Sequence, residues 1–212
     1  MDNSDNIRKV YSIGHSTHPL EYFLTLLEAR SINTLIDVRS LPASKYNPQY
    51  NKEPFEYFLK NNGVKYLHFR DEFGARQLDS SFLDDTGVVN FDKFRESFQF
   101  KQGIERIDLG ISKGYNIVLM CSESNPLECH RFSMISVYLE SIDINVKHIM
   151  KDGTCIDHSE LEKDLLKKYD KKLPKPDLFN QDIDINDQLI AAYKLHNKDI
   201  GWNSGIDQNG DM

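Results

Sequence analysis

The chain has 212 residues, 39% of them hydrophobic and 28% charged, the balance of a globular protein with one α/β core and an appendage. A net charge of −7 argues against a surface that coats nucleic acid indiscriminately, and no apolar stretch nears the ~20 residues of a membrane span. The polar start MDNSDNIRKV lacks a signal-peptide core and three cysteines are too few for a disulfide framework, so a reducing cytoplasm is the expected setting.

Val10 to Ile13 reads as a first strand, followed by the tight turn Gly14-His15-Ser16-Thr17 and a helix with Leu20, Phe23, Leu24 and Leu27 on one face. Thr34 to Val38 is the second strand. It ends in Asp37 and Arg39 and runs into a long irregular loop bearing Ser44, Tyr46, Asn47, Gln49 and Tyr50. A loop of that length without regular structure is usually functional. A helix opened by Pro54 leads to the third strand, Lys65 to Phe69, and then to Phe73-Gly74-Ala75-Arg76. Residues 39 to 76 hold seven Lys/Arg against four Asp/Glu, a basic stretch in an acidic protein that points to an anionic ligand. One helix is expected over Phe91–Ser112, the fourth strand over Asn116–Met120, a helix over Phe132–Leu139, the fifth strand over Asn145–Met150 and a helix over Ser159–Tyr169. Strands alternating with helices imply a mostly parallel sheet of about five strands covered on both faces, with ligands bound beyond the strands' carboxyl ends. Residues 8–170 form this single domain. Residues 171–212 are read as a linker, a helix docking through Leu189, Ile190 and Tyr193, and a polar tail.

The segment between the fourth strand and its helix, Cys121 to Arg131 (CSESNPLECHR), carries the densest chemistry. Arg131 in a first helical turn opposes the helix dipole, which makes sense if an anion, from a ligand or a buried carboxylate, shares the space. Glu123, just past a buried strand, faces the crevice. Cys129 lies near a helix start and cationic neighbours, conditions that lower a thiol pKa, whereas Cys121 reads as a small core residue and Cys155 as structural. Other roles stay open between structure and site. His15 caps its helix or meets a ligand, and Asp37 receives loop amides, pairs with Arg39 or belongs to the site.

The runs YSIGHS (11–16), LIDVRSLPASKYNPQY (35–50), FGAR (73–76) and LMCSESNPLECHR (119–131) resemble the bacterial and archaeal family described as a domain of unknown function, number 488. The resemblance spans residues 10 to 149, and DLF (177–179) and AAYKLHNKDIGW (191–202) are similar to that family's C-terminal extension. Gly74-Ala75-Arg76 stands where the family usually has Gly-Gly-Arg. The resemblance implies a three-layer Rossmann-like sandwich and a site shared among these motifs, with no reaction attached.

The leading functional expectation is a hydrolase or transferase acting on a phosphorylated, nucleotide-like or nucleic-acid substrate, with N-glycosidic cleavage a candidate reaction. Glu123 would be nucleophile or general base, and His15 or His130 the proton carrier. Arg39, Arg76 and Arg131 would hold anionic groups, with Ser16, Asp37, Asn47, Gln49 and Tyr50 completing the binding surface. Tyr46, Tyr50 and Phe73 are candidates to stack on a base. A second reading makes Cys129 the nucleophile of a phosphatase- or sulfurtransferase-like enzyme. LIDVR resembles rhodanese-type domains, but Cys129-His130-Arg131 as neighbours cannot form that cradle. A metal held by Cys121, Cys129, His130 and His15 is weighed and set aside, because no Cys-x-x-Cys spacing occurs, and no cofactor is expected. The non-catalytic alternative is a nucleotide- or nucleic-acid-binding module.

Overall fold

The structure, a computed structural model, describes residues 8–176 and 181–205. Asp177, Leu178 and Phe179 of the DLF run and the polar tail from residue 206 lie outside the described residues. Strands β1 (Lys9–Gly14), β2 (Thr34–Asp37), β3 (Lys65–His68), β4 (Ile117–Cys121) and β5 (Asn145–Ile149) pair in parallel. A sixth, β6 (Cys155–Asp157), adds an antiparallel edge to β5, giving the order β3-β2-β4-β1-β5-β6. The fold is the expected α/β sandwich with one strand more than the sequence suggested. Three residues returning through a turn at Gly153 (φ 84°) are too short to show alternation.

The central strands β2 and β4 are buried along their whole length, as strands covered on both faces must be. On one face, α1 (Leu20–Glu28) and α2 (Lys52–Asn61) press Phe23, Leu27, Phe55 and Leu59 against Ile13, Leu35, Val118 and Met120. On the other, α5 (Phe98–Ser112), the turns 131–136 and α6 (Val137–Ser141) press Phe100, Ile104, Met134, Ile135 and Leu139 against Val10, Ile36, Leu119 and Val146. The single helix expected over Phe91–Ser112 is two. After a short α3 (Arg70–Phe73), α4 (Phe91–Arg95) stops because Ser97 caps a new helix, its Oγ accepting from Phe100 N–H at 3.2 Å. The expected helix over Phe132–Leu139 begins as a π-helix, Arg131–Ser136, in which Ser136 Oγ donates to Arg131 O at 2.7 Å.

At the C-terminal end, α7 (His158–Tyr169) follows β6, and α8 (Ile185–Ile200) packs on it behind an Asp184–Asp187 capping box. Its docking face is Ala192, Tyr193 and His196 rather than the expected Leu189–Ile190–Tyr193, and Ile190 is 47% exposed. Apolar periodicity missed this phase because the most buried positions are a small residue and an imidazole. Among the described residues no helix is long and apolar enough to cross a membrane.

The chain leaves β2 for α2 on one face and leaves the adjacent β4 for the turns 131–136 on the other. Neighbouring strands whose connections diverge to opposite faces open a crevice at their carboxyl ends.

Candidate active site

That crevice is a cavity of about 530 Å³. Its walls include Arg39 and Ser40 after β2, Ala75 and Arg76 from the FGAR loop, Cys121, Ser122 and Glu123 after β4, Cys129 and His130, and Ile200 and Trp202 from the C-terminal segment. A further cavity of about 610 Å³ shares Ser40, Arg76 and Trp202 and extends toward Arg70. Of the residues singled out in the sequence, Arg39, Arg76, Glu123, Cys129 and His130 meet here.

Two glycines let the loops approach each other. A Cβ on Gly14 would stand 1.8 Å from Glu123 O, so only glycine lets the β1 and β4 loops touch. The contact is then fixed by His15 N–H donating to Cys121 O and Ser16 N–H to Ser122 O, both at 2.9 Å. A Cβ on Gly74 would lie 2.5 Å from Arg70 O and 3.0 Å from Ser40 Oγ, and that same hydroxyl accepts from Arg76 N–H at 2.9 Å. Arg76 is thereby carried to the rim, where it is exposed.

On the α1/α2 face, Arg39 is held by a buried carboxylate. Its Nε and Nη2 donate to Asp37 at 2.9 and 2.6 Å, Nη2 also donates to Tyr50 O at 2.8 Å, and Tyr66 Oη donates to Asp37 at 2.7 Å. Burial works against the Arg39 charge, but the Asp37 bonds hold its pKa above the ordinary value. His15 is buried, with Nδ1 2.7 Å from Ser16 O and Nε2 3.3 Å from Arg39 Nη1. A carbonyl only accepts, so Nδ1 carries the proton and Nε2 accepts from the arginine. Burial and the Arg39 charge push His15 down to about 4, which keeps the ring neutral. It stacks on Tyr50 at 4.3 Å and positions Arg39 from behind. Tyr50 is fully buried among Phe23 and Phe55 and donates to His18 O, so it is not a surface for a base. Ser16, Asn47 and Gln49 do not line the cavity.

On the other face, Cys121, Cys129 and His130 form a buried knot whose two sulfurs and imidazole nitrogen lie within 4.8 Å of one another. His130 Nδ1 is 3.9 Å from Cys121 Sγ and 3.7 Å from Cys129 Sγ, while Nε2 faces Val38 O at 3.2 Å. Burial opposes a thiolate at Cys129, yet the Cys121 thiol and the Arg131 and His130 charges bring its pKa well below the ordinary value. His130 answers with a raised pKa: burial lowers it, and the Cys129 charge more than offsets that. The bond to Cys129, with burial, pushes Cys121 well above its usual range. Glu123 is exposed at the residue level, but its carboxylate turns inward to accept from Cys121 Sγ–H at 2.9 Å. Burial of that carboxyl and the nearby Cys129 charge raise its pKa.

Arg131 is fully buried and does not line the cavity. Its Nη1 and Nη2 donate to the carbonyls of Glu123 (2.7 Å) and Ser124 (3.2 Å), so the cation at this helix start meets two backbone oxygens and clamps the loop that carries Glu123. Ile200 and Trp202 were not among the site residues expected from sequence. The run AAYKLHNKDIGW, quoted above for its resemblance, was the available signal.

With the geometry in place, comparison adds the family. The family model described as "Domain of unknown function DUF488" matches residues 19–139, more than half of the chain. No curated protein and no solved structure matches.

Proposed function

The chain belongs to the DUF488 family, whose description names no reaction, and from its site geometry we propose a hydrolase or transferase acting on an anionic, nucleotide-like substrate. The observation that carries this reading is one cavity of about 530 Å³ at the ends of β2 and β4 whose lining brings together the Glu123 carboxylate, two arginines and an indole. Arg76 on the rim, continuous with Arg70 in the adjoining cavity, supplies positive charge for a phosphate or carboxylate group. Trp202 supplies an aromatic wall of the kind that receives a base. Arg39, paired with Asp37, is a fixed donor in the cavity wall.

Glu123, which lines this cavity, is the carboxylate that this reading assigns to the reacting bond. In N-glycosidic cleavage the carbon–nitrogen bond breaks with its electron pair leaving on the base, while water oxygen bonds to the anomeric carbon. Glu123 takes the proton from that water and returns it to the departing base, and its charge faces the oxocarbenium ion as it develops.

The test is a thermal-shift panel of phosphate, nucleosides, nucleotides, ADP-ribose and short DNA and RNA, followed by turnover assays on whatever binds. We expect a phosphorylated nucleoside to raise the Tm of the wild type, Arg76→Ala to weaken that shift, and Glu123→Gln to bind without turnover. A panel in which nothing stabilises the wild type overturns the proposal. So does a ligand that binds without turnover, which is the binding-module outcome.

A further inference from the structure

We propose that Cys121, Cys129 and His130 form a three-ligand site for a zinc-class divalent cation, with its fourth position open to the cavity. The inference stands on these side chains and is independent of the reaction proposed above.

The first support is distance. A tetrahedral zinc with Zn–S near 2.3 Å and Zn–N near 2.0–2.1 Å places sulfur and nitrogen about 3.6 Å apart. The two observed Sγ–Nδ1 separations are 3.7 and 3.9 Å, and all three ligand atoms lie within 4.8 Å of one another. Both sulfur–nitrogen edges therefore lie within a few tenths of an ångström of the tetrahedral value, and the sulfur–sulfur edge is no longer than 4.8 Å. The second support is the imidazole's orientation. Nε2 faces the Val38 carbonyl, which can only accept, so Nε2 carries a proton and Nδ1 is the atom turned to both sulfurs. A metal-bound histidine is usually held in this way, its far N–H donating to a carbonyl or carboxylate that sets the tautomer and ring angle. The third is the support around the sulfur: Arg131 N–H donates to Cys129 Sγ at 3.4 Å, a bond suited to a charged thiolate ligand.

Access and ligand count agree. All three residues line the cavity, so an ion has an entry path, and three protein ligands with a free fourth position is the arrangement of catalytic rather than structural zinc. Two sulfurs and an imidazole favour zinc-like ions over magnesium or calcium. Glu123, whose carboxylate is 2.9 Å from Cys121 Sγ, borders the open position. A cysteine nucleophile fits this geometry less well, because both sulfurs face the same ring nitrogen.

The test is titration of the reduced full-length chain with Co²⁺, then displacement by Zn²⁺. One Co²⁺ per chain is expected, with thiolate charge-transfer bands and the intense visible bands of tetrahedral cobalt. Cys121→Ser, Cys129→Ser and His130→Gln should each weaken binding by more than the roughly 10–100-fold that outer-shell changes cost. Cys155→Ser, at an exposed cysteine on β6, should leave it unchanged. Independently of any variant, Zn²⁺ should protect Cys121 and Cys129, and not Cys155, from iodoacetamide in the wild type, read by mass spectrometry. No Co²⁺ uptake at micromolar concentration, a spectrum without thiolate charge transfer, or alkylation indifferent to Zn²⁺ would overturn the site. None of these readouts involves substrate, so the metal and the reaction succeed or fail separately.

Discussion

Two histidine clusters are built on the same sheet and behave in opposite ways. At the junction of β5, α7 and α8, Ser12 Oγ, His148, His158, Tyr193 and Glu162 form one chain of hydrogen bonds of 2.6, 3.1, 2.8 and 3.0 Å. Every proton has one consistent position. Ser12 donates to His148 Nδ1, His148 Nε2–H to His158 Nδ1, His158 Nε2–H to Tyr193 Oη, and the tyrosine to Glu162. Both imidazoles are neutral, lowered by burial, and the chain closes on itself with nothing left to bind. At the carboxyl ends of β2 and β4, by contrast, two sulfurs compete for one ring nitrogen, a carboxylate leans on a thiol, and the pKa values of Cys121 and Cys129 are driven apart. The first cluster is a fastener. The second is unfinished chemistry beside a cavity. A buried histidine therefore says little until its partners are counted.

Breaking the layer beneath the cavity should have the largest effect. Asp37→Asn leaves the Arg39 guanidinium buried without a counter-charge, and removing one partner of such a pair costs about 3–5 kcal/mol. Urea unfolding should show this as a lower midpoint at unchanged m-value; a loss under 1 kcal/mol would mean that water reaches Arg39 and that the pair is not a foundation.

Acid should act next, through the buried histidines. His158, lowered to about 3 by burial, and His196, lowered to about 4 by burial and the Lys168 charge, regain the ordinary pKa of 6.5 on unfolding. The unfolded chain then binds more protons, so their stabilisation is complete above pH 6.5 and is lost as pH falls toward the folded values. Each loses about 2 kcal/mol between pH 7 and pH 5, together about 4 kcal/mol, and His148 acts in the same direction. Melting curves at stepped pH test this, and a Tm flat down to pH 5 would show that these rings are already charged in the fold. Tyr193→Phe is a milder cut. It leaves His158 Nε2–H without its acceptor and should cost about 1–3 kcal/mol while leaving the cavity's chemistry unchanged. A variant equally impaired in activity would join the two clusters.

The contrast also explains what sequence could show. Cys121, Glu123, Cys129 and His130 stood out because one connection between a strand and a helix carries them all. A metal was not expected on spacing; the 3₁₀ turn Pro126–Glu128 folds part of the seven intervening positions, and the side chains of Cys121 and Cys129 come together. The parallel sheet followed from alternating patterns, whereas β6, with three residues, left no period to read. Tyr50 looked like a stacking surface because it sits in a polar loop, but its ring fills the core between His15, Phe23 and Phe55. Trp202 reaches the cavity only because α8 docks through Ala192 and His196, a face that hydropathy does not mark. Local pattern carried the strands and the reactive segment; long-range packing chose what completes the cavity.

The smallest expected change in stability is the sharpest test of the division. Glu123 is exposed as a residue, its backbone is already clamped by Arg131, and its carboxylate accepts one thiol hydrogen. Glu123→Gln keeps that shape and an amide oxygen for Cys121, so stability should stay within about 0.5 kcal/mol of wild type. What the amide lacks is basicity. If Glu123 carries the proton in turnover, the variant should lose about 100- to 10,000-fold in kcat while retaining ligand binding. Loss of several kcal/mol instead would make Glu123 another fastener, and full activity would move the chemistry onto the knot of Cys121, Cys129 and His130 beneath it.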